Sequence, residues 1–164
     1  MLLDLFRKEV EFENIHGYDD IKDIVKRVLD AEDNYNLLFI GPPASAKTLF
    51  LLGIIEYKKA VYFDGSNTTN RILDVLEEKR PKIICIDELD RMPRQFQEKL
   101  LNFMESGHIK VDQMRKQYDF KIKGAKVFAG AVARPIPLFP PEITAIFRQV
   151  VSESIQFESY NTTT

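Results

Sequence analysis

Short apolar runs alternate along this sequence with segments of helical periodicity, and this alternation limits the possible folds more than any other feature. Runs that can form buried strands lie at 37–40, 61–63, 82–87 and 126–132. Segments whose apolar residues recur at helical spacing lie at 21–29, 48–57, 72–76 and 96–104. Because near-continuous apolar strands separated by helices form parallel sheets covered on both faces, we expect an α/β domain of three layers. A last strand over 150–157 would make the sheet five-stranded and mostly parallel.

The size and composition of the chain fit one packed domain. Its 164 residues are 45% hydrophobic and 29% charged, which is ordinary for a globular protein and excludes a disordered or collagen-like chain. A formal net charge of -2 gives no global field that would recruit nucleic acid or an anionic membrane. The lone cysteine, Cys85, lies in an apolar run and excludes an internal disulfide.

Nothing in the sequence predicts export or membrane insertion. The N-terminal segment acquires charges too early to contain the apolar core of a signal peptide. No apolar run approaches the roughly 18 residues that are needed to span a bilayer. We therefore expect a cytoplasmic protein that does not associate with a membrane. No Cys or His pair has metal-ligand spacing, which argues against a zinc site.

Individual residues predict where several elements begin and end. The first helix is expected to be capped near Asp19 or Asp20. Pro93 suits the first position of the last predicted helix, and Gly107 should end that helix. Between 109 and 122, apolar residues alternate with polar ones around a charged middle, which predicts a β-hairpin inserted into the domain.

The segment between the first predicted strand and the next helix has the pattern of a phosphate-binding P-loop. It is close to Gly, four residues, then Gly-Lys-Ser/Thr, in the strand–loop–helix context that this pattern requires. Such a loop places backbone N–H groups around the phosphates of a nucleotide, at the positive N-terminus of a helix. The predicted nucleotide-binding residues here are Gly41, Pro42, Pro43, Ala44, Ser45, Ala46, Lys47, Thr48 and Leu49.

Two side chains of this loop carry specific chemistry, and one position departs from the pattern. We expect Lys47 to reach the β- and γ-phosphates as a catalytic residue, and the Thr48 hydroxyl to bind Mg²⁺. Ala46 stands where the pattern has Gly, and its methyl group fits if the backbone φ angle there is negative. The alternative interpretation is an ordinary strand-to-helix turn with a surface lysine.

Two acidic residues, Asp87 and Glu88, stand at the end of the third predicted strand. Because the carboxyl ends of parallel strands form the ligand-binding edge of a sheet, Asp87 can reach a Mg²⁺ held by Thr48. Glu88 can orient or deprotonate an attacking water, which makes it the predicted catalytic base. The alternative is a solvated loop that begins early, at Asp87.

Together the two motifs resemble the core nucleotide-binding domain of the AAA+ ATPases, and the resemblance covers nearly the whole chain. The acidic pair favours an ATP-hydrolysing motor over a small P-loop kinase. The resemblance implies an N-terminal segment on the adenine side at 1–18, an ATPase core at 19–158 and a polar tail at 159–164. The residues at 100–107, with the hairpin after them, are similar to the MoxR-type and Holliday-junction-helicase branches.

The resemblance also implies a role for the N-terminal segment. Residues of that segment line the adenine pocket in AAA+ proteins, so Ile15, Gly17 and Tyr18 are expected near the base. The alternative for these residues is a simple packing contact at the start of the domain.

The sequence departs from the family pattern at positions that support hydrolysis. Val132 stands where these ATPases have a polar sensor, and Ile146 stands where they have the arginine finger that enters a neighbouring subunit. Arg134 and Arg148 lie close to the two positions, but each is shifted by two residues. The helical lid that follows the core in the family is not expected here.

We therefore expect Mg²⁺-dependent ATP binding, with ATP hydrolysis that is slow when the chain is isolated. The implied cofactors are ATP and Mg²⁺, and the implied partners are ATP or ADP and a second copy or a related ATPase subunit. The alternative hypothesis is a non-hydrolysing regulatory or scaffolding subunit of a larger ATPase assembly. Transfer of phosphate to a small molecule would need an acceptor pocket, for which no residues are evident.

The predicted hairpin over 109–122 is rich in basic residues. In AAA+ motors such hairpins face a central pore, so DNA, as in a helicase, or a polypeptide is a candidate partner here. The alternative is a solvated basic hairpin, since only Tyr118 and Phe120 could stack on bases. The basic residues in and next to the hairpin are Lys110, Arg115, Lys116, Lys121 and Lys123.

Overall fold

The computed structural model describes residues 12–33, 35–43, 46–56, 60–67 and 71–132. Two 3-10 turns, Gly65–Asn67 and Leu89–Arg91, accompany the helices and strands. In chain order the elements are α1 (Asp19–Asp30), β1 (Leu37–Gly41), α2 (Lys47–Ile55), β2 (Ala60–Asp64), α3 (Arg71–Lys79), β3 (Ile83–Asp87), α4 (Arg94–Ser106), β4 (His108–Asp112), β5 (Gln117–Lys121) and β6 (Lys126–Val132).

The central sheet is parallel, as the alternation of strands and helices predicted. Four strands pair in the order β1-β6-β3-β2, so the last described strand lies between the first and the third. Every pairing is parallel, which brings the carboxyl ends of all four strands to one edge. The predicted fifth strand at 150–157 lies outside the described residues, as does every position after 132.

Helices cover both faces of the sheet, because successive side chains of a buried strand point to opposite sides. In β3, Ile83 and Cys85 pack with α1 and α2, whereas Ile84 and Ile86 pack with α3, α4 and the hairpin. Each of these four side chains is at most 5% exposed. The three-layer arrangement therefore follows from strands that are apolar on both faces.

The cap of α1 was predicted near Asp19 or Asp20, and the helix begins there, but neither aspartate is the N-cap residue. The residue at the N-cap position is Tyr18, whose backbone is left-handed (φ 56°, ψ 37°) and whose side chain makes no capping hydrogen bond. Both aspartates lie inside the first turn, where a carboxylate interacts favourably with the positive end of the helix dipole. The acidic residues thus act on the helix terminus through charge rather than through a capping bond.

A buried lysine joins the end of α1 to the start of β6. The Lys126 side chain is 7% exposed, and burial lowers its pKa against the opposing effect of Asp30 and Asp33. Its ammonium group donates three hydrogen bonds to backbone carbonyl oxygens in the last turn of α1 and just after it. The acceptors are the carbonyls of Val28 (2.6 Å), Leu29 (3.1 Å) and Ala31 (2.5 Å). Lys126 therefore satisfies groups that a helix C-terminus leaves without intrahelical partners.

The predicted hairpin is present as the antiparallel pair β4 and β5. Ile109 lies opposite Phe120 and Val111 lies opposite Tyr118, and all four side chains are buried. Gly107 ends α4 in a left-handed conformation (φ 67°), as expected for the residue after a helix. In the described part of the chain, no helix is long and apolar enough to cross a membrane.

Candidate functional site

The predicted phosphate-binding loop connects β1 to α2 at the carboxyl edge of the sheet. Gly41 ends the strand and Lys47 begins the helix, so the segment has the strand–loop–helix context that the sequence pattern required. Ala44 and Ser45 lie outside the described residues. Thr48 and Leu49 are on the exposed side of the first turn of α2, and Leu49 is 45% exposed.

Ala46 has a negative φ angle, so its methyl group is compatible with the backbone at this position. The angles are φ -69° and ψ 6°, and the carbonyl of Ala46 accepts a hydrogen bond from the N–H of Phe50 at 2.9 Å. Ala46 is therefore the N-cap residue of α2. Glycine is not required for the conformation that is observed here.

Because the Ala46 backbone is already in a conformation that alanine adopts freely, Ala46→Gly should change nucleotide affinity by less than about tenfold, or 1.4 kcal/mol. Calorimetric titration of both proteins with ADP and Mg²⁺ would measure the difference. A gain of more than tenfold for the glycine variant would show that the methyl group obstructs the phosphates.

Lys47 is buried rather than exposed at the surface, which differs from the surface lysine of the alternative interpretation. The residue is 6% exposed, and its Nζ donates hydrogen bonds to the carbonyls of Gly41 at 3.1 Å and Pro42 at 2.5 Å. Burial lowers the pKa of Lys47, while the nearby carboxylates of Asp87 and Asp90 act in the opposite direction. The lysine is thus held against the carbonyls of Gly41 and Pro42, where β1 ends and the loop begins.

The structure brings together Thr48 and Asp87, which are 39 residues apart in the sequence. The Thr48 hydroxyl donates a hydrogen bond to Oδ2 of Asp87 at 2.7 Å. Asp87 ends β3 and is 8% exposed, so its carboxylate lies at the edge of the sheet rather than in a solvated loop. The Thr48 hydroxyl and the Asp87 carboxylate are therefore close enough to contribute to the same binding site.

Asp87 has further hydrogen-bond partners, and one of them was not predicted. Tyr62, on the neighbouring strand β2, donates its hydroxyl to the same Oδ2 at 3.1 Å, and the N–H of Glu88 donates to Oδ1 at 2.9 Å. Tyr62 and Asp64 alternate onto one face of β2, and Asp64 lies opposite Asp87 in the register. Because Tyr62 and Asp64 are two residues apart, the sequence shows that they share a face of β2. It does not show that this face lies beside Asp87, since that requires the pairing of β2 with β3.

Glu88 has an unusual backbone and an ion-paired side chain. Its conformation is left-handed (φ 50°, ψ 43°), which is uncommon for a residue other than glycine. Its carboxylate contacts the guanidinium of Arg91 at 3.2 Å, and the Glu88 side chain is 37% exposed. The predicted base therefore lies directly after Asp87, with a cation as its neighbour.

Two glycines that the sequence analysis did not select lie against this acidic pair. A Cβ at Gly65 would be 2.4 Å from the carbonyl oxygen of Glu88, and a Cβ at Gly130 would be 3.1 Å from Oδ1 of Asp87. Gly130 lies within β6, and a glycine inside a strand pattern is a known signal for close approach. Both glycines allow neighbouring segments to approach the carboxyl end of β3.

Val132 contributes its backbone to the site, although its side chain has no polar group. Its N–H donates to Oδ1 of Asp90 at 3.3 Å, which ties the end of β6 to the turn after Glu88. The positions Arg134, Ile146 and Arg148 lie outside the described residues.

The N-terminal segment packs against α2, the helix that follows the phosphate loop. Ile15 is 5% exposed and belongs to the core on that face of the sheet. Gly17 and Tyr18 both have positive φ angles, and the Tyr18 ring meets the Phe50 ring edge-on at 6.2 Å between centroids. The predicted base-binding role of the three residues stays a prediction, while the packing of Ile15 and Tyr18 is visible in the structure.

The hairpin contacts α3 through polar side chains. Lys116 pairs with Asp74 at 2.9 Å and with Glu77 at 2.8 Å. Tyr118 donates to Asp74 at 2.8 Å and, like Phe120, is at most 5% exposed. These two aromatic rings are therefore packed inside the domain, and stacking on nucleic-acid bases would require the hairpin to move.

Comparison with known proteins agrees with this geometry. The model of the AAA family, the ATPase family associated with various cellular activities, matches residues 37–151. A search of curated proteins finds no significant match. The family match begins at β1 and includes the predicted phosphate-binding loop, Asp87 and all of the described sheet. Because it covers more than two thirds of the 164 residues, this chain belongs to the AAA family of ATPases.

Proposed function

We propose that this AAA domain binds ATP in a Mg²⁺-dependent manner and hydrolyses it slowly when it is isolated. Family membership supports nucleotide binding and ATPase activity in general terms. The observation that supports the specific proposal best is the 2.7 Å hydrogen bond between Thr48 and Asp87. It joins the two halves of a phosphate and metal site at the edge where parallel sheets bind ligands.

Lys47 is the proposed ligand of the terminal phosphates. Its ammonium group donates to two carbonyls of the loop itself, so a bound nucleotide would exchange those acceptors for charged phosphate oxygens. A contact between the ammonium and a phosphate oxygen pairs opposite charges, which a contact with a neutral carbonyl does not. The N-terminus of α2 adds its positive end to the same place.

The residues present fit a Mg²⁺ ion. Thr48 uses its hydroxyl hydrogen to bind Asp87, which leaves the oxygen lone pairs for a hard cation. Among the described residues, no group of three or more His, Cys, Asp or Glu could hold a metal. Mg²⁺ commonly binds through one or two protein oxygens together with phosphates and waters. When bound with a nucleotide, the ion would neutralise charge on the phosphates.

Glu88 is the proposed general base for the attacking water. Its position directly after Asp87 suits this role, but its carboxylate must first leave Arg91 or share that cation. The side chain of Val132 offers no hydrogen bond to orient the water. An arginine finger can contribute about 10³–10⁵ in rate in P-loop enzymes, and Ile146 stands at that position of the family pattern. These features support slow turnover by the isolated chain.

The alternative function is that of a nucleotide-binding subunit that does not hydrolyse ATP. The Glu88–Arg91 ion pair favours it, because the carboxylate then contacts a cation rather than an attacking water. In that case ATP would act as a structural ligand within a larger ATPase assembly. Turnover by purified protein distinguishes the two hypotheses.

The partners of the domain are also proposals. A second copy or a related ATPase subunit is the proposed neighbour, since AAA proteins commonly assemble and a finger acts across a subunit boundary. The similarity of 100–107 and of the hairpin to the MoxR-type and helicase branches supports DNA or a polypeptide as a further partner. Of the basic hairpin residues, Lys116 is already engaged by two carboxylates.

The proposed function is tested by nucleotide titration of the wild type and of Lys47→Ala. Loss of one charge-assisted contact of about 1.5–3 kcal/mol should weaken binding of ATP with Mg²⁺ by at least tenfold. Isothermal calorimetry measures both affinities directly. Lys26→Ala, which removes an exposed lysine from α1, is the matched control and should bind like the wild type. Equal binding by Lys47→Ala, or no nucleotide heat from folded wild type, would contradict the assignment.

A further inference from the structure

From the residues that the structure describes, the Asp87 carboxylate receives three hydrogen bonds, which are unevenly distributed between its two oxygens. Oδ2 accepts from Thr48 at 2.7 Å and from Tyr62 at 3.1 Å. Oδ1 accepts from the N–H of Glu88 at 2.9 Å. Two hydroxyl groups from different elements therefore converge on a single oxygen.

The number of lone pairs limits what else Asp87 can bind. Each carboxylate oxygen has about two acceptor sites, so Thr48 and Tyr62 together fill those of Oδ2. Oδ1 faces β6, where a Cβ at Gly130 would lie only 3.1 Å away. With Tyr62 in place, Asp87 would therefore affect a bound cation indirectly, by orienting the Thr48 hydroxyl.

We propose that Tyr62 is a positioning residue that fixes the Asp87 carboxylate and thereby sets the Mg²⁺ requirement of nucleotide binding. The inference rests on the proposed function, since it concerns the same site. Its effect is indirect: Tyr62 holds Asp87, Asp87 orients the Thr48 hydroxyl, and the lone pairs of that hydroxyl are aimed at the cation. Partners that orient a metal ligand in this way typically change metal affinity by about 10–100-fold when they are lost.

The position of Tyr62 suits such a role. It lies on β2, which pairs with β3 along its whole length, so its backbone is fixed relative to Asp87. Its hydroxyl lies 3.1 Å from Oδ2 of Asp87, within hydrogen-bond distance, and donates to that oxygen. Because Tyr62 is 36% exposed, removing its hydroxyl leaves no closed polar cavity. Phenylalanine should therefore be tolerated by the fold.

The experiment measures ADP affinity by calorimetry over a series of Mg²⁺ concentrations, and also in EDTA. Tyr62→Phe should need about tenfold more Mg²⁺ to reach half of the metal-dependent gain in affinity. Its affinity in EDTA should stay within about twofold of the wild type, because only the metal-dependent part passes through Asp87. Tyr118→Phe is the matched control, since it removes a tyrosine–carboxylate hydrogen bond of 2.8 Å to Asp74, away from the site. It should change neither quantity.

A double-mutant cycle tests the route through Asp87. In an Asp87→Ala background, Tyr62→Phe should have no further effect on the Mg²⁺ requirement. An unchanged Mg²⁺ requirement in Tyr62→Phe would overturn the proposal, as would an equal loss of affinity with and without the metal. A tenfold effect that persists without Asp87 would also overturn it. If the wild type binds ADP equally well with and without Mg²⁺, the proposed metal-dependent function fails together with the role of Tyr62. If the wild type requires Mg²⁺ and Tyr62→Phe has the same requirement, only the role of Tyr62 is rejected.

Discussion

Glu88→Gln should lower the turnover number for ATP hydrolysis by about 10²–10⁴-fold, which is the range that general-base catalysis contributes. Glutamine keeps the size of the side chain but cannot accept a proton from water. Binding of ATP should be unchanged, because the residues proposed to hold the phosphates and the metal are Lys47, Thr48 and Asp87. The variant should therefore separate the reaction from binding.

The measurement is phosphate release across a protein dilution series, combined with calorimetric binding of ATP. The dilution series is needed because activity that depends on a neighbouring subunit rises more steeply than linearly with concentration. Glu98→Gln is the matched control, since Glu98 forms an exposed ion pair with Arg94 at 3.3 Å on α4. Brisk turnover that is linear in concentration and indifferent to Glu88→Gln would defeat the proposed mechanism.

Lys126→Met should lower the free energy of unfolding by about 3 kcal/mol, since hydrogen bonds to charged groups contribute roughly 1.5–3 kcal/mol each and are not additive. Methionine preserves the length and the buried apolar stem of the side chain. It cannot donate to the three carbonyls that follow or end α1, and these would be left unsatisfied next to β6. The effect should appear without nucleotide, because it concerns only the packing of α1 against the sheet.

Urea unfolding, followed by circular dichroism, measures this difference. Lys26→Met makes the same substitution on the exposed side of α1, and it should cost little because Lys and Met have similar helix propensities. A Lys126→Met protein with a midpoint like that of the Lys26→Met control would show that water replaces the ammonium group at these carbonyls.

Much of the fold could be predicted because the strands are apolar on both faces and the helices between them are amphipathic. The pattern located β1, β2, β3 and β6 to within a residue or two, and it identified the hairpin as well. The strand–loop–helix context of the predicted phosphate-binding loop was predictable because its residues are contiguous. The position of Asp87 at the end of β3 was predictable because it directly follows an apolar run.

Features that depend on strand order could not be predicted in the same way. The placement of β6 between β1 and β3 brings Gly130 to Asp87, and the pairing of β2 with β3 brings Tyr62 there. No local pattern encodes these contacts. Lys116 shows the same limit, since the carboxylates that bind it belong to α3, about 40 residues earlier in the chain.

The backbone of Glu88 links stability to activity in an unfavourable way. A residue other than glycine in the left-handed region, here at φ 50°, costs of the order of 1–3 kcal/mol. Glycine at this position would relax the chain and remove the proposed base in the same step. Under the proposed function, a substitution here that raises stability would remove the general base, so a thermostable form that keeps the proposed activity must gain its stability at other positions.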